Sequence, residues 1–213
     1  MSLLVSLGII IVAVLLGSLA WRLSSKRHTL PCPSWLSWLV ELDNPLARAH
    51  SARAIIDSFS FPHGATILDI GCGPGRVLLP LAQKIAPLKG QVTGLDIQAD
   101  MIAKAQKKAQ ALGITNIGFI QGKIGQVALK KNQYDAALLV CVLGEIPEAE
   151  RLLVIKEISE ALKPTGIISV TETIFDPHFQ SRKRVTQLMD KAGFVEQKSL
   201  GNRLAYTIHF RKE

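Results

Sequence analysis

Cysteine is scarce: three residues, Cys32, Cys72 and Cys141, in a chain of 213. They share no metal-ligand spacing and form no disulfide framework, so neither a zinc module nor a stapled secreted domain is expected, and no metal site is predicted. Aromatics are few at 6% and do not interleave with the Lys and Arg residues, which are scattered along the chain. The net charge of +8 therefore reads as solvated faces, or as a surface suited to anionic lipid, and not as a nucleic-acid footprint. No Asn-x-Ser/Thr acceptor occurs, and no repeat or low-complexity run follows residue 45.

Charge is also absent from residues 3–21, an apolar run broken only by Ser6, Gly8, Gly17 and Ser18. At helical rise such a run spans roughly 30 Å, one hydrocarbon core. Arg22, Lys26 and Arg27 follow it, and no charged side chain precedes it. That asymmetry predicts a single-pass membrane protein with the body of the chain on the cytoplasmic side. A cleaved signal peptide is the competing reading, with Ser18-Leu19-Ala20 as its small-x-small site, but the basic residues lie on the wrong flank for one. The expected organisation is an anchor with its basic flank (1–28), a juxtamembrane flap and cover helix (29–63), and a main domain (64–213). In the flap, Trp35 and Trp38 stand among leucines after Pro31 and Pro33. Two placements are open for it, the membrane interface or a hydrophobic flap on the domain.

Residues 45–59 are spaced as a helix, with Leu46, Ala49, Ala52, Ile55 and Ile56 on one face. From residue 65 strands and helices alternate. Strands are expected at 65–70, 91–96, 117–121, 134–143 and 166–172, and helices at 74–86, 99–112, 148–162 and 180–192. A final hairpin (194–200 and 203–210) turns around Gly201-Asn202. This pattern predicts an α/β, Rossmann-like, doubly wound seven-stranded sheet with a C-terminal antiparallel hairpin, preceded by one transmembrane helix.

The most telling stretch is Leu68-Asp69-Ile70-Gly71-Cys72-Gly73-Pro74-Gly75, an apolar strand ending in an acid and a glycine turn. Its Gly-x-Gly-x-Gly spacing differs from the Gly-x-Gly-x-x-Gly of pyrophosphate binders. A carboxylate beside the turn repels a pyrophosphate and favours a cationic ligand such as S-adenosylmethionine. Asp96, at the end of the second strand, stands where an acid accepts both ribose hydroxyls; its alternative role is to cap the helix that follows.

These residues resemble class I S-adenosylmethionine-dependent methyltransferases, in the branch of ubiquinone/menaquinone-biosynthesis and phospholipid methyltransferases. The resemblance rests on that stretch together with Val92-Thr93-Gly94-Leu95-Asp96-Ile97, Tyr134-Asp135-Ala136-Ala137 with Leu143, and Leu162-Lys163-Pro164-Thr165-Gly166, about half of the chain. It implies that Asp69 orients the methionine amino group. Gly71, Cys72, Gly73 and Gly75 would form the methionine-side loop, Asp96 would bind the ribose, Ile97 would pack on adenine, and Val142 would flank the methyl donor. Family members often carry an acid where Gln121-Gly122-Lys123 places Lys123, so adenine would be held by the Lys123 backbone or by Gln121 instead.

Because the donor is already activated, alignment is the main task, and a base is needed only if the nucleophile sheds a proton. Glu145 and His178 are the candidates, and for each a purely structural role is the alternative. The acceptor expected from anchor and flap is a hydrophobic small molecule or lipid. A nucleotide-dependent oxidoreductase and a non-catalytic membrane adaptor remain the alternatives.

Overall fold

The computed structural model describes residues 31–41 and 49–213, together with residues 5, 6, 8, 9, 12, 13, 16 and 17. The expected anchor and the start of the expected 45–59 helix lie largely outside the described residues. Among the described residues, no helix is long and apolar enough to cross a membrane.

The flap forms a 3-10 turn, Ser34–Leu36, and a single helical turn, α1 (Ser37–Val40). Helix α2 (Ala52–Asp57) starts where the Ser51 side chain accepts the Ala54 N–H at 3.2 Å, satisfying a first-turn donor. It is shorter than the spacing of apolar residues predicted.

Seven strands follow: β1 (Thr66–Ile70), β2 (Gln91–Asp96), β3 (Ile117–Gln121), β4 (Tyr134–Val140), β5 (Leu162–Thr173), β6 (Phe194–Gly201) and β7 (Ala205–Lys212). Their order across the sheet is β3-β2-β1-β4-β5-β7-β6, parallel except for β7, which is antiparallel to both neighbours. The chain thus winds outward from β1 in both directions and closes one edge with the expected hairpin. Helices α3 (Leu78–Ile85), α4 (Ala99–Ala111), α5 (Arg151–Ala161) and α6 (Arg182–Lys191) are the crossovers and covers.

Strand residues alternate between two cores, which is why the strands read as nearly continuous apolar runs. Ile67, Val92, Ala136 and Leu138 pack on one face with Ile55 and Ile56 of α2 and Leu78, Leu81 and Ile85 of α3. Leu68, Ile70, Leu139 and Val170 pack on the other with Val154, Ile155 and Ile158 of α5 and Met189 of α6.

Among the boundaries that differ from expectation, three have evident local reasons. Helix α3 begins at Leu78, not residue 74, because Gly71, Gly73 and Gly75 all have positive φ, and Gly75 at +93° cannot lie in a right-handed helix. Strand β4 stops at Val140, not residue 143, because Cys141 turns to φ +59°. Strand β5 starts at Leu162, four residues early: Leu162 pairs with Tyr134, and the register then jumps so that Ala136 pairs with Ile167. Lys163-Pro164-Thr165-Gly166 is a bulge inside the strand, not a loop before it.

Candidate active site

The carboxyl ends of β1, β2 and β4 meet beside the order reversal at β1/β4, where open α/β sheets hold ligands. The cleft there encloses about 830 Å³, its solvent mouth included. Glycine turn, β2 end and β4 end each supply part of its wall: Gly71 and Gly73, Asp96 and Ile97, and Val142 and Glu145.

The three glycines of the turn answer two different demands. A Cβ on Gly71, at φ +66°, would lie 2.3 Å from Val142 Cγ2. One on Gly75 would lie 2.8 Å from Leu79 Cγ. One on Gly73, at φ +53°, would meet no atom of the other described residues within 4 Å beyond its chain neighbours, although Gly73 lines the cleft. Gly71 and Gly75 are therefore glycines for packing. Gly73 leaves bare backbone facing space, the cradle a ligand needs for close approach.

Asp96 ties the turn to the β2 end. Its Oδ2 accepts the Gly73 N–H and its Oδ1 the Gln98 N–H, both at 2.8 Å. Both expected roles of this acid thus coexist: it braces the entry to α4, and each oxygen keeps a second lone pair for a ligand hydroxyl. Burial raises its pKa, and the backbone N–H groups partly offset that. Ile97 and Lys123 also line the cleft, with Met101 and Ile124 completing an apolar wall. Lys123 is paired with Glu150 at 2.8 Å.

Asp69, Cys72 and Gly75 line no part of the cleft, although Ile70 and Gly71 do. Asp69 is 2% exposed, two positions before Gly71 of the turn. Burial pushes its carboxyl up to about 7 and Asp96 adds to this, against the lowering effect of Arg76. Cys72 points into the lower core, where its Sγ fills the space a Cβ on Gly94 would need. Its thiol is raised by burial first, then by Asp69 and Asp96.

Of the two candidate bases, the structure brings Glu145 to the cleft and leaves His178 outside it. Burial is the main cause that lifts the Glu145 carboxyl to about 8, with Asp176 and Asp96 adding to it. His178 is buried against Gly144, where a Cβ would sit 1.9 Å from the His178 carbonyl oxygen. Its N–H donates to Asp176 Oδ1 at 2.5 Å and its carbonyl accepts from Gln180 Nε2 at 2.7 Å. The Asp176-Pro177-His178 stretch does reach the cleft, but through Asp176.

Sequence reasoning missed Asp176, His50 and Cys141. His50 Nε2 lies 3.3 Å from Cys141 Sγ and 3.1 Å from Arg76 Nη2. A guanidinium only donates, so this ring nitrogen accepts, and the Cys141 thiol donates to it as well. Burial keeps that thiol protonated. His50 thereby joins the cover segment to the glycine turn and the end of β4. No periodicity marks such loop residues; the positive φ of Cys141 is a tertiary demand invisible in sequence.

Among the described residues, Asp96, Asp176 and Glu145, the last largely protonated near neutral pH, line the cleft against one cationic side chain, Lys123, which already has a carboxylate partner. That electrostatic setting repels a pyrophosphate and suits a ligand carrying sulfonium and ammonium charges.

Comparison with known proteins agrees. Residues 62–210 match the family model described as a methyltransferase domain. The chain belongs to this methyltransferase family. The cofactor of this S-adenosylmethionine-dependent domain is S-adenosylmethionine. Demethylmenaquinone methyltransferase of Lactococcus lactis subsp. lactis is 34% identical over 110 residues, covering 52% of this chain and 42% of that protein. The 2-phytyl-1,4-naphtoquinone methyltransferase of Nostoc sp. is 31% identical over 110 residues, 51% of this chain and 47% of its own length. The match thus spans less than half the length of these relatives. A SAM-dependent methyltransferase from Aquifex aeolicus superposes with a TM-score of 0.73 at 19% identity, over 84% of this chain and 98% of that one, a likeness of fold.

Proposed function

We propose that this methyltransferase moves a methyl group from S-adenosylmethionine to a hydrophobic, quinone-like small molecule or lipid at a membrane. The observation that carries the reading is the cradle in which Asp96 clasps Gly73 inside a carboxylate-lined cleft. When bound, S-adenosylmethionine would supply a methyl group already activated on a positive sulfur, which would retain the electron pair of the C–S bond. Asp96 would accept the ribose hydroxyls, and Ile97 and Met101 would flank the adenine. The bare backbone of Gly73, with Gly71 beside it in the cleft wall, would hold the methionine portion, with Val142 beside the reacting methyl. Such alignment is worth roughly 7–11 kcal/mol of the barrier. Glu145, on the wall after β4, takes the proton that the acceptor atom sheds as it forms its bond to carbon.

The quinone-like acceptor is supported by the two quinone-methylating relatives, through the half of the chain they share. The membrane setting is supported by the uncharged run 3–21 and its basic flank. The test is to incubate the full chain with membranes and methyl-labelled S-adenosylmethionine, then to fractionate lipid, quinone, small thiol and protein. Label in the quinone or lipid fraction is expected. Label confined to protein or small thiols would overturn the acceptor class.

A further inference from the structure

The flap is amphipathic in the sense opposite to a surface helix. Ser34, Ser37 and Glu41 face the domain: Ser34 Oγ donates to Asp100 Oδ2 at 3.1 Å, Lys104 Nζ donates to Ser37 Oγ at 2.8 Å, and Lys108 pairs with Glu41 at 2.6 Å. Gln98 Nε2 donates to the Cys32 carbonyl at 2.9 Å, and Pro31 and Cys32 line the cleft. Trp35 and Trp38, three residues apart, lie outward, 74% and 58% exposed. A strap whose polar side is latched to α4 and whose tryptophans point away is built for surroundings other than water.

A second apolar patch stands on the same end of the sheet. Ile174 and Phe175 follow β5 and directly precede Asp176 of the cleft wall; Leu204 lies in the β6–β7 turn, and its carbonyl accepts the Ile174 N–H at 2.7 Å. All three are exposed, Phe175 by 56%. The strap and this rim therefore bracket the cleft. Exposed Arg203 adjoins the rim.

We infer that this carboxyl-end face is a docking surface for the interface of an anionic lipid bilayer, with Trp35, Trp38, Phe175 and Leu204 seated at headgroup level and the cleft mouth opening toward the lipid. Tryptophan suits that depth because its ring is apolar and its N–H is polar. The strap begins nine residues after the uncharged run 3–21, and Arg22, Lys26, Arg27 and Arg203 complement anionic headgroups. The inference rests on the membrane setting proposed above and adds an orientation to it: a hydrophobic acceptor enters the cleft from the bilayer without crossing water.

The chain has three tryptophans, so Trp21→Phe leaves Trp35 and Trp38 as the reporters. The full-length variant is reconstituted into phosphatidylcholine/phosphatidylglycerol vesicles containing lipids brominated near the headgroup. A second variant lacks all three tryptophans and carries Phe175→Trp; a third carries Leu112→Trp, at the far end of α4. Emission from the first two is expected to shift to the blue and to be quenched by bromine, while the Leu112 reporter stays unquenched. Failure to bind vesicles, quenching of the strap without the rim, equal quenching at Leu112, or shielding without quenching because two chains pair through this face would each overturn it. The readout needs no methyl transfer, so it stands or falls separately from the proposed reaction.

Discussion

Replacing Asp96 by asparagine tests the cradle at its hinge. The native carboxylate accepts two backbone N–H groups, from Gly73 and Gln98, at 2.8 Å each. Asparagine keeps one acceptor and turns an amide NH2 toward the other N–H, so two donors face each other. One charge-assisted bond, to the loop or to α4, is lost, and so is the charge that strengthens a bond to a ribose hydroxyl. Hydrogen bonds to charged groups are worth about 1.5–3 kcal/mol. Loss of one such bond to the cofactor raises Kd by about 10- to 150-fold, at tenfold per 1.4 kcal/mol. Isothermal titration of S-adenosylmethionine and of S-adenosylhomocysteine into wild type and variant measures this. The effect on stability is smaller, because asparagine also removes the burial cost that raises the Asp96 pKa. A variant that melts like wild type and binds within twofold of it would refute the placement of the ribose on Asp96.

Other consequences follow from the same geometry. With its carboxyl near 8 in the free protein, Glu145 is largely protonated at neutral pH, so kcat/KM should climb as pH rises and level off above about 8. Glu145→Gln should cut kcat by about 10²–10⁴-fold with little change in cofactor affinity; a wild-type rate flat across that range would remove Glu145 as the base. Asp69, raised from 3.8 to about 7, holds its proton more tightly folded than unfolded. Its contribution to stability is thus full below about pH 4 and is lost as pH rises through about 7. Urea unfolding of Asp69→Asn should show a shallower decline over that window than wild type; an identical slope would count against the burial of the carboxyl. Gly71→Ala, which drives a Cβ to 2.3 Å from Val142, should cost about 1–3 kcal/mol in chemical denaturation. Gly73→Ala, with no such close contact among the described residues, should spare more stability than Gly71→Ala and weaken cofactor binding instead.

Much of this arrangement is legible in the sequence because it is carried by local chemistry. The alternation of apolar strands with helical spacing gives the sheet, and the hairpin turn at Gly201-Asn202 gives its antiparallel edge. The acid-then-glycine stretch marks the turn, and Asp96 stands at the end of β2 as its spacing from the turn implies. What the sequence hides is tertiary. The Lys163-Pro164-Thr165-Gly166 stretch looks like a loop but lies inside β5, between Leu162 paired with Tyr134 and Ile167 paired with Ala136. Glu145 and His178 look equivalent on paper, and it is the packing of Gly144 on His178 that separates them. Cys72 lies within the glycine stretch, yet its side chain serves the core under Gly94. The two tryptophans suggest a flap, but its orientation emerges from which serines and which glutamate find partners on α4.

The central claim is that the carboxylate-lined cradle selects a cationic, phosphate-free nucleoside. Calorimetric titration of the full chain with S-adenosylmethionine and, separately, with NAD tests it most directly. Saturable one-to-one binding of S-adenosylmethionine without binding of NAD is the predicted result; binding of NAD without S-adenosylmethionine would contradict the account.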